Sequence, residues 1–432
     1  MILRYSRVCN FSAFLVGAFS RMQVELLGRI SVSEIFLILL WPLALNVISK
    51  NASKLNRKLL IRSALLMFLW VVGALISDMV AGTDSDYILR GIMKPAFCLV
   101  WAVFFMMLLV VSPAALTYLA AGLAAASFQN YFLPTSTSSE LAISEYADLV
   151  YRISPVILSL CLFLSVVIYK RRAGLAAICL VVAGVLIAAI GGSRSAAAIP
   201  IVSGALLFWP TLRPGRATRS VGKVPKHNKI AILVGLVVFS YLLVEVYIYA
   251  AGNGYLGEYQ QIKFLRQSGT SFGNTALGLL FTGRPQIVGA VLAIMDNPVI
   301  GTGSWSANAM VDYFREGVSL VGVDRSVKMN NPRVGHSAIA VIWLEHSIMA
   351  GFSMLCFFIL SVRKLVAASS LQRGPPQLPL IIYLCCLLIW DLLFSPFYLG
   401  TRSGIGLILA LTCTGYPQNL DTQHQSIVQR GC

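Results

Sequence analysis

Apolar residues run in long blocks along this chain, separated by short polar stretches. The blocks fall at 31–49, 59–80, 95–111, 113–128, 153–169, 174–190, 195–211, 230–250, 336–360, 378–398 and 400–414. Most approach the roughly 17–25 residues that a helix needs to cross a bilayer. A weaker block at 11–19, with arginines on both sides, reads as a twelfth span, an interfacial helix or a signal-like stretch; no small-residue cleavage site follows it. The pattern predicts an all-α, polytopic integral membrane protein of about 11–12 transmembrane helices, with residues 1–432 forming a single membrane domain.

One segment breaks the pattern. Residues 251–335 form the only long polar stretch, 85 residues, and a loop of that length is usually functional or ordered by secondary structure of its own. Within it Pro285 to Met295 predicts a short helix. Proline suits the first turn, and Ile287, Val288, Val291, Leu292 and Met295 make an apolar stripe. Asp296-Asn297-Pro298 stops that helix and Gly301-Thr302-Gly303 supplies a turn.

Composition narrows the class further. Of 432 residues 57% are hydrophobic and 12% charged, against about 25% charged in an average globular chain. Disorder, a coiled coil and an ordinary soluble enzyme are excluded. Seven of the nine cysteines (Cys98, Cys161, Cys179, Cys356, Cys385, Cys386 and Cys413) lie inside apolar blocks and read as small buried hydrophobes. No Cys/His spacing suggests zinc, the four histidines are scattered, and the glycines are too few for a dinucleotide fingerprint. No metal and no cofactor is expected.

The net charge of +17 comes from stretches between the blocks: Lys50 to Arg62, Lys170 to Arg172, Arg213 to Lys229, and Arg363, Lys364 and Arg373. No aromatic residues interleave in a nucleic-acid-binding pattern, and no nucleic-acid partner is expected. Placing 50–58 inside makes 170–173, 212–229 and 363–377 fall inside by simple alternation, as cytoplasmic basic loops do. Residues 81–94, 129–152 and 251–335 then fall outside, carrying Asp84, Asp86, Glu140, Glu145, Asp148 and Glu258. The C-terminal tail is inside.

Three outward residues sit where helices begin. Arg194 lies in Gly191-Gly192-Ser193-Arg194-Ser195, Arg284 immediately precedes Pro285, and His336 opens the block at 336–360. Helix N-termini present unpaired N–H groups and the positive end of the dipole, and an arginine there adds a fork matched to phosphate oxygens. Two such sites on one membrane face suggest a ligand with a diphosphate. Either arginine alone also fits an interfacial side chain reaching for headgroups, and the histidine alone fits a cap. Asp78, Glu245 and Arg402 sit near block ends, where they reach water. Glu345, His346 and Asp391 lie deeper and need partners, as a structural pairing first and a proton relay second, with Asp391 able to pair with either of the others.

The order Gly-Ser-Arg-Ser, then a long outer loop, then a His-initiated block resembles the O-antigen ligase and polysaccharide polymerase superfamily. The loop carries Gly283-Arg284-Pro285 and Asp296-Asn297-Pro298-Val299-Ile300-Gly301-Thr302-Gly303, and the close carries His336-Ser337, Trp343-Leu344-Glu345 and Gly351. The likeness covers mainly 190–360. It implies a membrane glycosyltransferase in the bacterial inner membrane with its active site facing the periplasm. The implied donor is an undecaprenyl-diphosphate-linked glycan, and the acceptor is lipid A core or a lipid-linked repeat unit, in a setting of membrane lipids. Combined with the helix-start reading, Arg194 and Arg284 hold the donor diphosphate and His336 is the base, with Glu345 the secondary candidate and no metal required. Ser337 stands where many relatives have asparagine, which leans the acceptor toward a polymerase's. A transporter or flippase of the same lipid-linked sugars is the rival from another class, and a purely structural membrane subunit the third.

Overall fold

The computed structural model describes residues 2–25, 29–133, 145–190, 194–212, 226–255, 284–305, 307–321, 336–371 and 374–416, with isolated positions between 261 and 282. For Arg194 the backbone alone is described. Gly191, Gly192, Ser193, Gly283, residues 213–225 of the basic stretch, Arg373, Glu140, Glu258 and most of the C-terminal tail lie outside the described residues.

Fourteen helices build the described structure: α1 (Ile2–Ala18), α2 (Val32–Lys50), α3 (Arg57–Ala81), α4 (Ser85–Val111), α5 (Ala115–Phe132), α6 (Glu145–Tyr169), α7 (Ala173–Ala189), α8 (Arg194–Phe208), α9 (Lys226–Gly252), α10 (Pro285–Asp296), α11 (Ala307–Val321), α12 (Ala338–Ser369), α13 (Leu378–Phe394) and α14 (Leu399–Thr414). One antiparallel hairpin, β1 (Gln23–Glu25) and β2 (Arg29–Ser31), departs from the all-helical expectation. It leads into the Ser31 cap of α2. There the Ser31 hydroxyl accepts from the Glu34 N–H at 3.2 Å while a Glu34 oxygen accepts from the Ser31 N–H at 3.1 Å, a reciprocal pair that satisfies two orphan donors.

Five helices, Val32–Lys50, Arg57–Ala81, Ser85–Val111, Arg152–Tyr169 and Ala338–Ser369, are long and apolar enough to cross a membrane, and five shorter apolar helices accompany them. Ile61, Leu65, Phe68, Met79 and Val80 on α3, and Ile178, Val182 and Val185 on α7, are exposed. Apolar exteriors of this kind on two helices suit hydrocarbon rather than water.

Helix α4 is the centre of the bundle. Phe97, Cys98, Val100 to Ala102 and Phe104 to Val110 are all buried, as a helix apolar all round requires. Trp101, Phe104 and Phe105 form an aromatic knot on it, with ring centroids 5.6–6.2 Å apart. The N-terminal block is part of a true helix, α1, packed on α5. Gly17 and Gly122 face each other so closely that a Cβ on Gly122 would lie 2.2 Å from the Phe14 carbonyl oxygen, the close approach that small residues permit in membrane helices.

Several boundaries differ from the hydropathy blocks. Helix α4 starts at Ser85, ten residues before the block, and so carries Arg90 and Lys94. Helix α13 ends at Phe394, and α6 begins at Glu145. The loop holds a second helix, α11, whose Phe314, Val318 and Val321 are buried and whose backbone meets Gly289 of α10. At one end of the bundle the Lys54 ammonium donates to Val110 O at 3.0 Å and that of Lys364 to Leu411 O at 2.8 Å, cations closing helix C-termini. The loop residues 298–305 gather at the other end, beside Ala81 and Thr83.

Candidate active site

Helices α10 and α12 run side by side in the same direction. Ala290 and Ala293 pack on Ala340 and Leu344, and beyond the end of α10 the Pro298 carbonyl accepts from the Trp343 indole N–H at 2.8 Å. Their N-termini therefore lie together. Arg284 caps α10, with proline following it in the first turn. Its guanidinium lies 4.9 Å from the Trp390 ring centroid and 5.4 Å from that of Phe394, both on α13. The same guanidinium is within electrostatic reach of His336 and of Asp391.

His336 is half-buried and stands two residues before α12. The cap itself is Ser337, whose hydroxyl accepts from the Ala340 N–H and donates to Leu392 O at 3.1 Å. His336 is therefore tied to α13 through its neighbour. Its pKa lies below the usual value of 6.5, first because burial disfavours imidazolium and second because Arg284 repels it. Arg194 is the first residue of α8.

The deep ionisable groups all have partners. Helix α12 is broken: His346 (φ −123°, ψ 19°) and Ser347 (φ 79°, ψ 171°) leave helical geometry. The segment 298–304 enters the gap. Ile348 N–H donates to Val299 O at 3.1 Å and Thr302 N–H to Leu344 O at 2.8 Å. Gly301 and Gly303 adopt φ +82° and +81°, and a Cβ on Gly301 would sit 2.5 Å from Leu344 O, so both positions need glycine.

A buried chain of side chains closes the junction. The Trp70 indole N–H donates to His346 Nδ1 at 2.9 Å, and His346 Nε2 lies 3.1 Å from Ser304 Oγ. Ser304 gives Asp78 both its N–H (2.5 Å) and its O–H (2.9 Å). Because indole only donates, Nδ1 is the acceptor and Nε2 carries the hydrogen. Both nitrogens of His346 are occupied, which favours the structural reading over the relay. Lys94 pairs with Glu345, the secondary candidate, whose carbonyl also accepts from Ser77 Oγ at 2.8 Å.

Three further expectations are corrected. Asp78 is 1% exposed and serves Ser304 rather than water. Arg402 pairs at 3.3 Å with Glu34, which is wholly buried, and lies over Phe97. Asp391 pairs with neither Glu345 nor His346 and instead accepts from Tyr398 O–H at 2.8 Å, because α13 ends at Phe394 and the chain turns back.

Asp78→Ala should orphan two donors of Ser304 at a cost of about 1–3 kcal/mol for each group left unmade. Thermal unfolding in detergent should show a clear drop in Tm, larger than for Ser304→Ala. Equal melting of Asp78→Ala and the parent protein would contradict this account of the junction.

No protein-family model, no curated protein and no solved structure matches the chain.

Proposed function

We propose that the protein is a metal-independent, inverting glycosyltransferase of the bacterial inner membrane. It moves an undecaprenyl-diphosphate-linked glycan onto an acceptor hydroxyl at the periplasmic face, as an O-antigen or exopolysaccharide polymerase or a ligase. The observation that carries this reading is the side-by-side N-termini of α10 and α12, with Arg284 on one and His336 before the other. Two dipole ends and a guanidinium favour a multiply charged anion. A neutral, half-buried imidazole beside them is a base.

In this mechanism Arg284, joined by Arg194, holds the diphosphate. His336 takes the proton of the acceptor hydroxyl as its oxygen attacks the anomeric carbon. The bond from that carbon to the diphosphate oxygen breaks, and undecaprenyl diphosphate leaves with its charge held by the arginines. Attack opposite the leaving group inverts the centre. The outward sidedness of 251–335 and the inward sidedness of the basic stretches belong to the same proposal.

The transporter reading gains one observation, the broken α12, since transporters bind at broken helices. Here the gap is filled by residues 298–304 and sealed by buried side chains, which supports an anchor rather than a substrate site.

The test is release of undecaprenyl diphosphate by purified protein in lipid nanodiscs, supplied with lipid-linked glycan and acceptor. Lipid translocation in vesicles without release would favour the transporter. The pH profile adds a sharper check. Because burial and Arg284 hold the His336 pKa below its usual value, the acid limb of kcat/KM should lie below that of an ordinary imidazole. Arg284→Gln removes one of the two causes and should move that acid limb upward. A limb unmoved by the substitution would separate the two residues.

A further inference from the structure

We infer that Trp305, with Tyr87 and Arg90, forms a stacking platform for a neutral stretch of saccharide, on the outer end of α4. The inference rests on the glycan-transfer reading for its ligand, and on separate residues for its geometry. Trp305 follows Ser304, whose backbone and hydroxyl are fixed on buried Asp78. Its own backbone is left-handed, φ 62°, which is costly for a bulky side chain. Strain of this kind persists where surrounding contacts impose it, and it gathers at ligand clamps. The result is a large ring held 40% exposed.

Two cations fix the ring. Lys94 Nζ lies 5.5 Å from its centroid and the Arg90 guanidinium 5.9 Å. Arg90 also lies 5.5 Å from the ring of Tyr87, which is 39% exposed. The row Trp305–Arg90–Tyr87 is thus aromatic, cation, aromatic. It borders a cleft of about 380 Å³ lined by Asp84, Ser85, Asp86, Tyr87 and Arg90.

Charge decides the ligand class. Arg90 lines that cleft together with the carboxylates of Asp84 and Asp86, one cation beside two anions. Lys94 is already spent on Glu345. A phosphate or an anionic headgroup would meet two carboxylates there against one guanidinium, with the first turn of α4 already faced by Asp84 and Asp86. A neutral polyol offers hydroxyls to the carboxylates and to Ser85, and C–H faces to the rings. Along α12 the platform's neighbour Glu345, the partner of Lys94, follows His336 in sequence. Nine residues separate His336 from Glu345, on the order of 14 Å at 1.5 Å per residue. A separation of that order is the length of several sugars, so the platform would meet units beyond the one that reacts.

The test uses full-length protein in nanodiscs and saturation-transfer NMR with heptasaccharides of glucose, galactose, mannose and rhamnose. At least one should bind the parent protein. Trp305→Ala should weaken it by about tenfold or more, while Trp305→Phe stays within about threefold. Trp305→Ala relieves the left-handed strain only in part and removes an exposed ring, so folding is checked by Tm alongside. Tyr87→Ala, a surface change, gives a second and smaller loss. The inference falls if no heptasaccharide binds, if Trp305→Ala binds as well as the parent, or if pyrophosphate or phosphatidylglycerol competes for the same resonances. Sugar binding needs no turnover. Binding that depends on Trp305 in a protein that fails the donor-release assay would keep the platform and sink the transferase reading; donor release without any Trp305-dependent binding would do the reverse.

Discussion

His336→Ala is expected to lower glycan transfer by about 10²–10⁴-fold, the usual loss when a general base is removed, with donor binding nearly intact. In the proposed mechanism the residue takes the acceptor proton and leaves the diphosphate to Arg284. It is half-buried, its neighbour Ser337 is anchored on Leu392 O, and Arg284 keeps imidazolium disfavoured. Single-turnover rates with donor preloaded separate the chemical step from binding. Full activity in folded His336→Ala at saturating acceptor would remove the base assignment. Glu345 would be a poor replacement, since Lys94 holds its carboxylate.

Arg284→Ala is expected to cost about 10²–10³ in kcat, the scale of losing one preorganised group aimed at developing charge, and to weaken donor binding as well. Arg284→Lys should remain impaired. An ammonium lacks the planar fork that meets two phosphate oxygens. It also cannot lie as a flat guanidinium over Trp390 and Phe394, contacts worth about 0.5–2 kcal/mol each. Trp390→Leu should therefore reproduce a fraction of the Arg284→Lys defect. Wild-type kinetics in Arg284→Lys would show that charge alone suffices.

The apolar blocks carried the helices because hydropathy is local. Each of the eleven blocks overlaps a helix in the structure, and Pro285 placed Arg284 at a helix start. Charged residues inside helices misled the same reading. Arg90 and Lys94 truncated the block of α4, yet Lys94 is neutralised by Glu345 from 251 positions away. No window along the chain contains both. Trp70 and His346 are 276 positions apart and Asp78 and Ser304 are 226 apart, so the buried junction was invisible from spacing. The glycines of Gly301-Thr302-Gly303 did signal a turn, and both adopt positive φ. What they could not reveal is that the turn lies inside another helix.

That intrusion imposes an order on how the protein is made. A break in α12 leaves the Leu344 carbonyl and the Ile348 amide unpaired, and each such group costs several kcal/mol in hydrocarbon. The acceptor and donor that satisfy them belong to Val299 and Thr302, which leave the ribosome some forty residues earlier. The two halves of α12 have no stable place in lipid until that earlier segment has docked against Asp78. Biogenesis of the second half of the chain thus waits on the first, and a lesion at Gly301 or Ser304 would surface as failed membrane insertion before it surfaced as lost chemistry.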